Sequence, residues 1–243
     1  MNRTKSLSLC AGLLASATLS IAVSAHEITA RSDGKVPAAF DIARARATTD
    51  GRLAEFAMEV SGEAGSVKPR ATGKLAGAKA EAYVWPTKID PATVGFGTGT
   101  GILALAVTAH PDFDDTPLHD ENNDGDPAND GAGWHSHWVV LGEDEACGAG
   151  LKVKDVSPGS DVLPATAPGL PIALDSPGMS PLLQGSTVRI TVPLKDQANA
   201  AFDAVTAELQ VNKEGKTPLL CVTGVHKIAS GQLTFPGTIA PRK

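Results

Sequence analysis

Residues 111–133, "PDFDDTPLHDENNDGDPANDGAG", form a run with almost no apolar side chain besides Phe113 and Leu118, set between two segments that read as buried strands. The segment before it, "GILALAVTAH", is continuously apolar, the pattern of a central strand covered on both faces. The segment after it, "WHSHWVVL", resumes strand character at once. Connections this long are uncommon inside compact domains and are usually functional or disordered. Any fold built from this chain must therefore accommodate a long, polar, acidic insertion between two core strands.

The rest of the chain reads as strands and turns. "FDIARARA" and "RLAEFAMEVSG" flank "TTDG", a hairpin signal with Asp50-Gly51 at the turn. On the second of these strands Ala54, Phe56, Met58 and Val60 face one way, and Arg52, Glu55 and Glu59 lie on or near the wet side, the period-2 signature of a half-buried strand. "AEAYVWPTKID" is a strand ended by Pro86, and "STVRITVPL" is another. "DQANAAFDAVTAELQVN" fits either period and is read as a short helical turn leading into a strand. "KEGK" then turns into "TPLLCVTGVHKIA", and residues 157–181, rich in Pro, Gly and Ser, form a second irregular connection. The expectation is an all-β fold, an antiparallel β-sandwich of eight or more strands with a long acidic, His-rich loop and at most one short helix.

Residues 1–25 read as a secretory signal peptide: Arg3 and Lys5, a small apolar stretch, then Val23-Ser24-Ala25 as a cleavage signal. This leaves 26–243 as a single domain, periplasmic or secreted, with no later run able to span a bilayer. Export places Cys147 and Cys221 in an oxidising compartment, so they are expected to pair. The formal charge of −6, more negative without Arg3 and Lys5, argues against nucleic acid and anionic membrane surfaces as partners.

The chemistry gathers in residues 119–138, which hold three histidines, five acidic residues and three asparagines. His135 and His137 are one residue apart on a strand, so their rings point the same way with Cα atoms roughly 7 Å apart. Such a pair supplies two ligands already fixed by the backbone. His110, at the end of the preceding strand, and His119, in the loop, are candidates to complete the set. Asp112, Asp114 and Asp115 are further oxygen donors, and His226 ends another strand. Imidazoles suit a transition metal such as Zn²⁺ or Cu²⁺. The scarcity of soft ligands (Met58 and Met179 besides the paired cysteines) disfavours Cu⁺.

A second cation class is suggested by Asp120, Asn122, Asp124, Gly125 and Asp126, which match the first half of a calcium loop. The second half departs from the EF-hand pattern: Gly131 stands where a bidentate Glu belongs, and Pro127 replaces an apolar residue. A Ca²⁺ site there would need Asp130 or Glu121. If cleavage follows Ala25, His26 becomes the N-terminus. Its amine and ring then resemble the copper brace of secreted copper oxygenases and of some periplasmic copper-binding proteins, in ligand arrangement alone.

No G-x-S-x-G or H-E-x-x-H motif is present, and "GFGTGTG" lacks the context of a phosphate-cradling loop. Trp134 and Trp138 flank the His pair on the other strand face, where packing in a second layer is the simpler role. The sequence is read as an exported protein that binds a divalent cation. A metal-dependent enzyme of zinc hydrolase, zinc lyase or copper oxidase type is the first alternative. A structural or adhesive domain rigidified by Ca²⁺ is the second.

Overall fold

The structure, a computed structural model, describes residues 26–116, 118–120, 124–127, 129–157, 159 and 162–242. The leader read in residues 1–25, and Glu121 and Asn122 of the acidic loop, lie outside the described residues. Fifteen strands run in chain order: β1 (Glu27–Thr29), β2 (Ile42–Thr49), β3 (Leu53–Val60), β4 (Lys79–Pro86), β5 (Ile102–Ala109), β6 (His135–Glu143), β7 (Leu151–Val153), β8 (Leu174–Asp175), β9 (Leu182–Gln184), β10 (Thr187–Pro193), β11 (Ala201–Phe202), β12 (Val205–Val211), β13 (Leu220–Ile228), β14 (Gly237–Thr238) and β15 (Ala240–Pro241). Among the described residues helix is confined to two short 3-10 segments at Pro91–Val94 and Asp130–Ala132. No described helix is long and apolar enough to cross a membrane.

The hairpin at Asp50-Gly51 forms where expected. Asp50 accepts hydrogen bonds from the Arg52 and Leu53 amides, and Gly51 takes a positive φ of 91° that an L side chain would resist. The short helical turn expected before the strand in the stretch that begins at Asp196 does not form. Asp196 and Asn199 both have positive φ, and the chain turns tightly into β11 instead.

The chain is nearly all β, and its larger sheet closes on itself. β5 pairs with β4, β4 with β12, β12 with β13, β13 with β7, β7 with β6, and β6 returns to β5, all antiparallel. The result is a six-stranded barrel, a closure that the expectation of a sandwich did not contain. The short β7 makes it possible by pairing on both sides. A second sheet, ordered β1-β2-β3-β10-β9 with β15 parallel to β2, covers part of the barrel wall.

Alternation along the strands builds two cores. On β4 and β5, Tyr83, Trp85, Leu103, Leu105 and Val107 point outward and join Phe56, Met58, Val188 and Ile190 of the covering sheet. The opposite faces, with Ala80, Ala82, Val84, Ala104 and Ala106, line the barrel interior with Val139, Leu141, Leu209 and Val222. This explains why β5 reads as apolar on both faces. The Cys147–Cys221 disulfide ties the connection after β6 to β13, across 74 residues of chain.

A buried carboxylate fastens the segment before β2 to the end of β13. Asp41 accepts hydrogen bonds from Ser32 Oγ at 2.6 Å and Ser61 Oγ at 2.7 Å, and pairs with Lys227. Burial alone would raise its carboxyl; the Lys227 ammonium and the two hydroxyls outweigh it and hold the group well below the usual carboxylate range. A depressed folded-state value means that this contribution to stability is complete above the unfolded value of about 3.9 and fades as the pH falls below it. Asp41→Ala is expected to destabilise the fold by roughly 3 kcal/mol in chemical denaturation, because Lys227 loses its buried partner. The variant should also lose stability less steeply than the parent between pH 4 and pH 2. An unchanged denaturation midpoint would show that this fastening contributes nothing.

Candidate metal centre

The pairing of β5 with β6 places Ala106 opposite His137 and Thr108 opposite His135, so His110, just past the end of β5, lies at the same end of the barrel. The long connection between the two strands folds back over that end. The His110 amide donates to Gly131 O at 2.7 Å. The approach is so close that a Cβ on Gly131 would lie 2.0 Å from Phe113 O, which only a glycine avoids. The position that spoils the EF-hand pattern is thus required to seat the loop.

Seating the loop delivers Asp115. His110, Asp115, His135 and His137 are all buried, and one ligand atom from each lies within 4.8 Å of the others. Asp115 Oδ1 stands 3.2 Å from His110 Nε2, 3.5 Å from His135 Nε2 and 3.3 Å from His137 Nε2. The Nε2 atoms of His110 and His135 are 2.8 Å apart. Four donors bound tetrahedrally to one ion at about 2.05 Å would sit about 3.3 Å from one another. The group can hold a metal ion.

The far side of each ring fixes its tautomer. His110 Nδ1 is 2.9 Å from Phe113 O, and His135 Nδ1 is 3.1 Å from Gly133 O. A carbonyl oxygen only accepts, so both Nδ1 atoms carry a proton, and each Nε2 presents a lone pair when its ring is neutral. Ser176 Oγ donates to Asp115 O at 2.6 Å and lies 3.1 Å from His137 Nδ1, from which it accepts. His137 Nε2 is left bare as well. Phe113 stacks flat on the His110 ring, 4.1 Å between centroids. Such outer contacts orient metal-bound imidazoles in general.

Three imidazole Nε2 atoms and a carboxylate oxygen therefore face one another away from water. Asp115 Oδ1 and His137 Nε2 have no hydrogen-bond partner among the described residues. Burial would raise the Asp115 carboxyl, but His110 and His137 more than offset it and hold the group well below the ordinary carboxylate range. Burial likewise pushes His110 down, and Asp115 reverses the balance to leave it raised. His135 is driven down to about 4, mainly by burial, so its ring is neutral at neutral pH and keeps the Nδ1 proton.

Other candidate ligands stand apart from this group. His119 packs against Gly178, where an added Cβ would meet its Nδ1 at 2.6 Å. Asp120 accepts from the Asp124 amide at 3.2 Å and the Gly125 amide at 2.8 Å. Asp124 accepts from the Asp126 amide at 2.9 Å and from Asn129 Nδ2 at 2.9 Å. Asp130 is buried at the start of the second 3-10 segment. No second cluster of donors forms among the described residues. His226 pairs with Glu81 at 2.8 Å, and His26 contacts Thr238. Trp138 lies in the core between barrel and sheet, and Trp134 Nε1 donates to Gly65 O.

Asp115 and Ser176 are the members that the sequence did not single out. Asp112 is occupied by the Gly73 amide and the Thr72 hydroxyl, and Asp114 by Thr116, which leaves Asp115 to turn inward. No protein-family model, no curated protein and no solved structure matches this chain.

Removing the Ser176 hydroxyl deprives His137 of its acceptor and Asp115 of its backbone tether at once. Ser176→Ala is expected to weaken metal affinity roughly 10–100-fold, measured by competition with a chromogenic chelator, while the fold is retained. An affinity within twofold of the parent would mean that Ser176 does not orient the centre.

Proposed function

We propose that this chain is an exported metal-binding protein whose centre at His110, Asp115, His135 and His137 holds one Zn²⁺. The observation that carries the reading is the arrangement of protons. Every imidazole Nδ1 is committed outward to an acceptor, so the three Nε2 atoms are the ones that converge with the Asp115 carboxylate, all four donors lying within 4.8 Å of one another. Buried charges without partners are strongly unfavourable, and a divalent cation resolves the conflict. Three nitrogens and one oxygen at near-tetrahedral separations favour Zn²⁺ over Cu²⁺, which prefers tetragonal geometry.

The sequence pattern of residues 1–25 fits export, and the Cys147–Cys221 disulfide fits an oxidising compartment. The acidic loop takes the role of a cap. The carboxylates of Asp120 and Asp124 accept from the loop's own amides, which favours a self-supported turn over a Ca²⁺ site. A metal-dependent enzyme is the second reading, favoured by the contact of His110, Asp115 and His137 with a cavity in the barrel.

Elemental analysis of protein exported from cells and purified without chelator or affinity tag is expected to give about one Zn per chain. His135→Ala combined with His137→Ala should abolish that metal and leave the β-rich circular dichroism intact. Asp120→Asn with Asp124→Asn should retain it. Full metal content in the histidine double variant, or failure of the parent to take up Zn²⁺ on titration, would overturn the assignment.

A further inference from the structure

The inward side chains of the barrel lie in rows that cross its strands. Pairing aligns Thr108 of β5, Ala82 of β4, Ala207 of β12 and Val225 of β13. The row on one side supplies Val84, Val205 and Ile228, and the row on the other supplies Leu209 and Val222. Branched side chains thus flank a middle row in which two alanines stand next to each other. Small barrels normally fill their interior with inward side chains. Here the middle row falls short, and a cavity of about 90 Å³ remains, bordered by residues of all three rows.

The walls of this cavity are almost wholly carbon. The polar residues that border it direct their polar atoms elsewhere. The donor atoms of His110, Asp115 and His137 are buried among themselves, and Thr108 Oγ1 lies 3.4 Å from His135 Nε2. A water needs roughly 10–15 Å³ and two to four polar partners; apolar cavities give it none, and they stay dry or take an apolar guest. A charged or hydrogen-bonding group placed there would lose its hydration with nothing to replace it. A cavity of roughly 150 Å³ lined by Leu, Ile and Phe accepts benzene or xenon, so the smaller barrel interior suits a guest of about six carbons or fewer.

One side of the wall offers a way in. β7 pairs with β13 only at Leu220 and Cys221, so beyond Val222 that edge of β13 carries no strand ladder among the described residues. Val225, at the end of the small row, lines the cavity and is also 41% exposed. At this point a single side chain touches both the cavity and the solvent. Segments with few backbone ties open locally at lower cost than laddered strands.

We propose that the barrel interior is a binding site for a small neutral hydrocarbon, admitted at the unladdered edge of β13 beside Val225 and held against Ala82 and Ala207 between the branched rows. The walls select by what they lack: a guest that needs no hydrogen bond loses nothing on entry, and a charged one does. The site is independent of the metal assignment, and no covalent bond is made or broken.

The test uses the full chain as purified, followed by methyl-resolved NMR during titration with cyclopentane. Butylammonium and butyrate serve as charged probes of similar size. Cyclopentane is expected to cause saturable shifts at the methyls of Val84, Leu209, Val222 and Val225 and to raise the thermal midpoint. Neither charged probe should do so. Ala207→Leu should cut cyclopentane affinity at least about tenfold, because the added side chain takes the space that the guest needs. Ala82→Val fills less of the same row, should weaken binding to a smaller extent, and replaces the first variant if that one does not fold.

No saturable binding of cyclopentane, or shifts confined to methyls outside the barrel interior, overturns the proposal. So does undiminished cyclopentane binding in a folded variant, or equal binding of butylammonium or butyrate.

Discussion

Seven successive residue pairs, from Ile102 against Leu141 to Thr108 against His135, join β5 to β6. This antiparallel ladder sets everything that follows at the metal end. It fixes His135 and His137 on the face that looks into the barrel, brings His110 beside them, and obliges the long connection to cross that end. A shift of one residue would turn the His pair outward, into the positions now held by Ser136 and Trp138. The apolar side chains of β5 on both faces hold the register, since either face would lose its core on slipping. The centre is thus specified by hydrophobic packing before any ion is considered.

The long connection is less a loop than a fitted cap. Its acidic side chains make internal turns, as at Asp120 and Asp124, or tie it to neighbouring segments, as at Asp112. Gly131 permits the backbone contact that seats it. Once the cap is seated, Asp115 is the carboxylate that remains to face inward. Seating and ligand delivery are one event, and Ser176 links them by holding both the Asp115 carbonyl and the His137 ring.

Much of this was legible in the sequence where the signal was local. Alternating residues around Asp50-Gly51 defined a hairpin, and the two apolar faces of β5 marked a central strand. His-x-His on a strand directed attention to His135 and His137, with His110 placed by the strand before. Closure of the barrel was not legible, because it depends on β7, a three-residue strand whose importance lies in its two partners. The inward alanines of β4, β5 and β12 signalled nothing by themselves; they matter because they share one enclosed face. Asp112, Asp114 and Asp115 are chemically equivalent in sequence. They were separated by contacts as distant as Thr72, which no spacing rule contains. The stretch after Lys195 fits either period by its spacing, but positive φ at Asp196 and Asn199 turns it away from helix.

β6 is held near both ends by side-chain chemistry of different kinds. His135 and His137 belong to the donor group at its start, and Cys147, shortly after its end, is bridged to β13. With a metal bound as proposed, a chelator would act on the first hold and leave the second alone; a thiol reductant would do the reverse. β6 would thus answer to two independent chemical conditions of its surroundings.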